Sequence, residues 1–358
     1  MLRIIVAVTA LLWIMASCTQ PEKPLTKEEV RDFAKKIELS IEKREGKILD
    51  EAFDSKAFFK RMNLEDGKDN RSIQSGIMEG MKMGTKLVTS LTEKGSYSFI
   101  KQYEKDKVQH IMFRLYDQGS INYHDFELKR TKGEPRIVDV YVYTSGETLS
   151  ETIKNLFADF KGEFFDNATP QTDAVIKRLP DIRMLIVKGK HLEALDIYNS
   201  LSEKMQKSRP FQIIHVEICS GLTDDEYTSS IAEYEKLYPN EPNMQLLLID
   251  GYILRKEYVK ALTAVNELDK MINKDPLLDY HRAMCYTLIG EKSKRTECLE
   301  RVVKNVPDFE DGILELIADY LGANEFEKAR PLVRRFKNKS AFDQSRLNDL
   351  IDQYPGYN

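Results

Sequence analysis

The sequence predicts an α+β N-terminal domain, with helices before an antiparallel meander, followed by an all-α helical solenoid. Three patterns predict this order. Apolar residues first recur at helical spacing, then alternate as in strands, and finally follow a helical pattern that repeats itself. The predicted boundaries are a signal segment at 1–17, a tether at 18–25, the α+β domain at 26–160, a linker at 161–171 and the helical repeats at 172–358.

Residues 1–17 have the composition of an export signal. Arg3 supplies an early positive charge, an apolar run follows as far as Met15, and the small residues Ala16 and Ser17 stand directly before Cys18. The run is shorter than the ~20 apolar residues that a membrane-spanning helix needs. An ordinary secretory signal, in which Cys18 has no special role, is the alternative.

The stretch Met15-Ala16-Ser17-Cys18 resembles the lipobox of bacterial lipoproteins, in which the cysteine receives lipid and becomes the new N-terminus. The resemblance implies that Cys18 is a lipidation site bearing acyl chains such as palmitate. Because each buried CH₂ contributes ~0.8 kcal/mol, several acyl chains hold a protein on a membrane without a spanning helix. Thr19, rather than an aspartate, follows the cysteine. We therefore expect a lipid-anchored protein of the bacterial cell envelope, in the outer membrane and facing the periplasm or the cell surface.

Composition excludes some classes of function. The chain has 54 basic and 58 acidic residues, a net charge of −4, which argues against a nucleic-acid partner. Cys219, Cys285 and Cys298 lie in no zinc-ligand spacing, so neither a metal nor a cofactor is expected. We interpret them as small buried side chains. A disulfide between Cys285 and Cys298 is the alternative, which an exported location would permit.

Five segments from about residue 188 onward resemble one another: KHLEALDIYNSL, DEYTSSIAEYEKL, KEYVKALTAVNEL, KSKRTECLERVV and NEFEKARPLVRRF. Aligning them on one small residue each matches Ala194, Ser230, Ala261, Cys298 and Ala329. The intervals of 36, 31, 37 and 31 residues average near 34. In a helix pair, a small side chain in the second helix lets the first helix approach closely.

A period near 34 with one helix pair per unit resembles the tetratricopeptide (TPR) repeat, over about residues 172–355. The resemblance rests on the period and the small residues, because the Trp-Leu-Gly-Tyr consensus of the first helix is absent. It implies a helical solenoid with an extended concave surface for a protein or peptide. A generic helical bundle is the alternative.

The N-terminal half changes from a helical to a strand pattern. Thr26 and Glu29 form a possible capping box that opens the first helix, and further helices are expected at 55–62 and 71–94. About four strands follow between residues 97 and 143. Helices before a curved sheet resemble the cystatin-like and nuclear-transport-factor-like folds, in architecture only.

Two-residue turns at 118–119 and 132–133 would set the register of the meander, with His124 opposite Tyr141 and diagonal to Asp139. A histidine beside a carboxylate in an apolar cone could act as a general base. His124, Asp139 and Tyr141 are therefore the candidate catalytic residues. The favoured interpretation is nevertheless that His124 is only hydrogen-bonded and that this face forms the core or a small apolar pocket.

The function predicted from these features is that of a membrane-anchored envelope lipoprotein acting as a protein–protein interaction scaffold through its TPR-like array. Its partners would be another envelope protein or peptide, and the membrane through the lipid on Cys18. The alternative is a small-ligand-binding protein or an enzyme that uses a pocket in the N-terminal α+β domain. Because the phosphate-loop, GxSxG and HExxH motifs are absent, a non-enzymatic role is favoured.

Overall fold

The computed structural model describes residues 22–64, 70–117, 119–161, 181–239 apart from 183 and 187, and 244–357. The predicted signal segment, Cys18 and nearly all of the predicted linker lie outside the described residues. The chain divides into two compact units. The first unit comprises Met1–Gly119 and His124–Tyr141, and the second comprises Ser120–Tyr123 and Val142–Asn358.

Helices precede the sheet in the first unit, as predicted. In the described residues they are α1 (Lys27–Glu42), α2 (Lys47–Glu51), α3 (Ser55–Arg61), α4 (Asn70–Gly80) and α5 (Met83–Ser90). The predicted capping box opens α1, since the Glu29 N–H donates to Thr26 Oγ1 at 3.2 Å and the Thr26 N–H donates to Glu29 Oε2 at 2.8 Å. Every third or fourth residue of α1 is then buried: Val30, Ala34, Ile37 and Ile41.

The single helix predicted over 71–94 is two helices in the structure, α4 and α5. The start of α5 is held by a side chain from α2, because the Gly84 N–H donates to Asp50 Oδ1 at 2.6 Å. An acceptor at this position satisfies one of the backbone donors that every helix N-terminus leaves free. The break thus follows from a tertiary contact that the local sequence pattern does not contain.

The predicted antiparallel meander is confirmed, with a short fifth strand added. The strands β1 (Ser96–Lys105), β2 (Val108–Asp117), β3 (Ser120–Thr131), β4 (Glu134–Val142) and β5 (Glu147–Thr148) lie side by side in chain order. The expected turn between β3 and β4 has both Lys132 and Gly133 at positive φ, 53° and 86°. Two such residues in succession match the twist of a two-residue hairpin. A bulge interrupts β1 between Phe99 and Lys101.

Aromatic side chains fill the core of the first unit. Phe113 stacks on Tyr97 with ring centroids 4.9 Å apart and meets Phe126 edge to face at 5.8 Å. Phe53 contacts Phe126 and Phe58 in the same edge-to-face manner. Such pairs contribute roughly 0.5–1.5 kcal/mol each beyond the area they bury.

The second unit is helical after β5, as predicted. Its helices are α6 (Leu149–Lys161), α7 (His191–Asn199), α8 (Glu203–Gln206), α9 (Arg209–Cys219), α10 (Asp224–Leu237), α11 (Met244–Leu254), α12 (Tyr258–Met271), α13 (Leu278–Ile289), α14 (Lys292–Asn305), α15 (Glu310–Gly322), α16 (Phe326–Lys337) and α17 (Gln344–Asp352). From α9 to α17, each helix packs against the next one in sequence. We call α7, α10, α12, α14 and α16 the second helices, because each contains one of the small residues used to align the similar segments, and we call the helices that directly precede α10, α12, α14 and α16 the first helices.

Candidate functional site

His124 is buried in the aromatic core of the first unit. Its Nδ1 lies 2.9 Å from the hydroxyl oxygen of Tyr97, and its ring packs against Tyr97 and Phe126 with centroids 5.6 and 6.3 Å away. Burial lowers the pKa of His124 to about 4, so the imidazole is neutral near pH 7. A neutral, hydrogen-bonded ring is what the favoured core interpretation expects.

Asp139, the second candidate, makes a different contact. Its carboxylate is buried and lies 3.3 Å from Nη1 of Arg61 in α3, and the same guanidinium bonds Glu127 of β3. Directly after β4, one hydrogen bond departs from the spacing of the predicted register. The Tyr143 N–H donates to the carbonyl of Tyr123 at 3.0 Å, so these two residues lie opposite each other.

This pairing of Tyr123 with Tyr143 is shifted by one residue from the register that places His124 opposite Tyr141. The turn at Lys132–Gly133 would place Tyr143 opposite Asn122, so this bond marks an irregularity where the chain leaves β4 at Val142. The predicted pair of His124 with Tyr141 stays a prediction. Tyr141 itself is half-buried.

A polar cluster that the sequence did not predict lies on β1, β2 and β3. Tyr103 pairs with His110 across β1 and β2, and their rings stack with centroids 4.9 Å apart. Asp125 of β3 accepts a hydrogen bond from the Tyr103 hydroxyl, and its Oδ1 lies 3.2 Å from Nδ1 of His110. The tight turn at Asp106 and Lys107, both at positive φ, pairs Lys105 with Val108 and therefore Tyr103 with His110. Regular alternation alone does not reveal the cluster, because the pairing depends on the position of this turn.

In the second unit, the small residues used to align the repeats are all buried. The exposed fraction is at most 2% for Ala194, Ser230, Ala261, Cys298 and Ala329. The residues at which the second helices begin nevertheless give a different alignment of the segments. The second helices α10, α12, α14 and α16 begin at Asp224, Tyr258, Lys292 and Phe326, so successive starts are 34 residues apart.

The intervals of 36, 31, 37 and 31 residues are uneven because the sequence alignment matched residues that lie one helical turn apart in their respective helices. Ala261 is the fourth residue of its helix, whereas Ser230 and Cys298 are the seventh residues of theirs. The structural equivalent of both is Ala264, which is also buried. Positions four and seven lie on the same helix face, so a small residue at either one permits close packing. Small size alone cannot distinguish the two positions.

Two surface grooves lie beside second helices. The basic groove, between α14, α15 and α16, has a volume of about 390 Å³. Its lining has three basic side chains, Lys304, Lys328 and Arg335, and one acidic side chain, Glu300, around Val303, Leu316 and Leu332. The acidic groove, between α7, α9 and α10, has a volume of about 310 Å³ and is lined by Asp225, Glu226 and Glu233 with Leu195, His215 and Cys219. Neither groove includes the sheet candidates His124, Asp139 or Tyr141.

The acidic groove contains a histidine and a thiol, but they are not arranged for nucleophilic chemistry. His215 stacks on Tyr198 at 4.5 Å, and its Nδ1 lies 3.8 Å from Glu233. Burial lowers the pKa of His215 and raises the pKa of the Cys219 thiol. Both shifts disfavour the thiolate–imidazolium pair that an activated cysteine needs.

Cysteine burial is confirmed for Cys219, Cys285 and Cys298, and all three thiols are free, so the alternative Cys285–Cys298 disulfide is not formed in this structure. Burial raises the pKa of Cys285 to about 11. In the described parts of the chain, no group of three or more His, Cys, Asp and Glu side chains is placed to hold a metal ion.

Within the same described ranges, no helix combines the length and the apolar character needed to cross a membrane. A scan against models of known protein families gives no match to this chain, and a search of curated protein sequences gives no significant match. Function must therefore be inferred from the fold and from the surfaces described above.

Proposed function

We propose that this protein is a lipid-anchored component of a bacterial envelope that binds another envelope protein or peptide through a TPR-like solenoid in its second unit. The observation that carries the proposal is the regular spacing of α10, α12, α14 and α16, whose starts are 34 residues apart. Stacked helix pairs of this period offer an extended binding surface and need no catalytic group. The lipobox-like stretch ending at Cys18 supports the anchor.

Exposed apolar side chains on a first helix of the array support a binding role. Met284 and Leu288 of α13 are 44% and 42% exposed. They are four residues apart and so share one face of the helix. Large apolar side chains grouped on a polar surface are typical of interaction sites. We therefore assign the contact with the partner to this face of α13.

The test compares two double variants of the full chain that remove similar amounts of exposed apolar surface. Met284→Ser/Leu288→Ser changes the face of α13, and Leu39→Ser/Ile48→Ser changes the first unit, where these residues are 52% and 42% exposed. Envelope cross-linking followed by mass spectrometry measures the partner recovered with each. We expect the α13 variant to lose at least about tenfold in recovery, equivalent to 1.4 kcal/mol, and the control to match wild type. Equal recovery with both would contradict this assignment.

The enzyme or small-ligand alternative finds its best support in the cluster of Tyr103, His110 and Asp125. A carboxylate at Nδ1 of a histidine orients Nε2 for proton transfer, as a general base requires. His110→Gln removes the titratable ring from this cluster. If the array is the functional part, this variant should retain the wild-type phenotype. A folded His110→Gln protein that loses function would favour the alternative.

A further inference from the structure

Charge changes systematically from one second helix to the next. From the N-terminal end, α7 carries two acidic side chains, α10 five acidic and one basic, α12 two of each, α14 two acidic and five basic, and α16 one acidic and five basic. Counted over these helices alone, the charge is thus acidic at one end, neutral at α12 and basic at the other end. Of the helices that directly precede a second helix, α9, α11 and α13 each carry at most one charge of either sign, whereas α15 carries four acidic side chains and no basic one. The gradient therefore belongs to the second helices alone.

The two grooves repeat this opposition at equivalent positions. The third residue is Glu226 in α10 and Lys328 in α16, and the tenth is Glu233 in α10 and Arg335 in α16. All four line their respective grooves. Lys328 also pairs with Glu325 at 2.9 Å but remains 57% exposed, and an exposed pair of this kind holds its partners weakly.

When a row of helices is acidic at one end and basic at the other, a second copy in the opposite direction places an opposite charge beside each charged helix. We propose that a second copy of this chain docks antiparallel on the second helices, with the acidic end of one copy on the basic end of the other. Five second helices then match as α7 with α16, α10 with α14, and α12 with α12 on a two-fold axis. An isologous contact of this type uses one surface twice and closes on a dimer.

Two exposed apolar residues lie at positions that this antiparallel arrangement would bring against the second copy. Val259, the second residue of α12, is 68% exposed and would approach its own copy near the two-fold axis. Leu192, the second residue of α7, is 67% exposed and would face the basic groove, whose floor includes Val303 and Leu316. Apolar anchors supply binding energy, while complementary charges set orientation and partner choice. The proposal goes beyond the binding of an envelope partner described above.

The experiment uses two charge-reversed variants of the full chain, each carrying a different affinity tag. Glu226→Lys/Glu233→Lys reverses the charge of two side chains in the acidic groove, and Lys328→Glu/Arg335→Glu reverses that of two side chains in the basic groove. Light scattering in detergent, corrected for bound detergent, gives the protein mass and the dissociation constant. We expect a wild-type dimer, and a dissociation constant raised at least about tenfold for each variant alone. Mixing the two variants should restore pairing to within about threefold of wild type, because the reversed side chains of one groove then face the oppositely reversed side chains of the other groove.

Restored pairing also shows that both variants are folded. Arg334→Glu/Lys337→Glu is the matched control, since it makes the same charge change on α16 outside the positions facing the groove, and we expect it to dimerise as wild type does. The wild-type dimer should weaken between about 0.01 M and 1 M salt, as the Debye length falls from about 30 Å to about 3 Å. A monomeric wild-type protein at low salt, or variants that fail to pair with each other, would overturn the proposal, as would dimer loss in the control. All three outcomes are independent of whether an envelope partner is captured.

Discussion

Gly46 and Gly84 meet backbone to backbone, so closely that neither position has room for a β-carbon. Gly46 precedes α2, and Gly84 lies in the first turn of α5. Asp50 adds a hydrogen bond to the Gly84 N–H from the same side. Glycine is therefore required here by the approach of two helices rather than by its own backbone angles, because neither residue has a positive φ.

We predict that Gly84→Ala destabilises the protein by about 1–3 kcal/mol, because the added methyl group must push two backbones apart. Gly76→Ala is the matched control. Gly76 lies within α4, where a β-carbon would meet no atom within 4 Å among the described residues. Alanine favours a helix interior over glycine by roughly 0.5–1 kcal/mol, so the control should be neutral or stabilising. Urea unfolding of the full chain measures both, and equal losses would show that the close contact is absent.

Three glycines show which part of this packing could be predicted from the sequence. Gly76, Gly80 and Gly84 are four residues apart, a spacing that would place them in one close-packed stripe on the single helix predicted over 71–94. Only Gly84 makes such a contact, because α4 ends at Gly80 and α5 starts after a break. The contact depends on Gly46, which is distant in sequence, and periodicity reports only on residues within the same segment.

The buried His124 predicts a specific dependence of stability on pH. Its pKa is about 4 in the folded chain, against 6.5 for an unperturbed histidine. The unfolded chain therefore binds a proton more readily in this window, and the free energy of unfolding falls as the pH drops from 6.5 towards 4. At pH 4.5 this term should cost about 2–3 kcal/mol.

His124→Gln provides the comparison, since the amide can still bond the Tyr97 hydroxyl but does not titrate. Urea unfolding at about pH 7.5 and about pH 4.5 isolates the histidine term as the difference between the two proteins. We expect the variant to lose less stability on acidification than wild type does. Identical acid sensitivity would mean that His124 is not buried as a neutral ring.

The sheet was predictable except for its irregularities. Alternation and turn signals identified the strands and the burial of His124, because both follow from local composition. Register is different, since an inserted residue moves every later pair by one position. The bulge between Phe99 and Lys101 moves the pairs on the Phe99 side by one position, and the Tyr143 N–H bonds Tyr123 rather than Asn122. Both events depend on packing against other parts of the fold.

For the array, we predict that Ala261→Leu destabilises the protein while Lys260→Ala has little effect. Ala261 is fully buried at the fourth position of α12, so a larger side chain should cost about 1–3 kcal/mol by overpacking. Lys260 is exposed and pairs with Glu257 at 3.1 Å, and loss of such a surface pair should cost less than about 1 kcal/mol. Thermal melts of the full chain measure both. Similar melting temperatures for the two variants would contradict the assigned packing.

The last prediction concerns the lipid anchor. No residue of the predicted signal segment lies in the described structure, so the prediction depends on the sequence alone. If Cys18 carries acyl chains, Cys18→Ala should lose metabolic labelling with palmitate and leave the membrane fraction, since in this interpretation lipid is the only anchor. Cys219→Ala is the control, because that thiol is buried in α9 and its pKa is raised by burial. The control should retain the label and stay with the membrane. Palmitate label that persists in the Cys18→Ala protein would show that acylation occurs elsewhere in the chain.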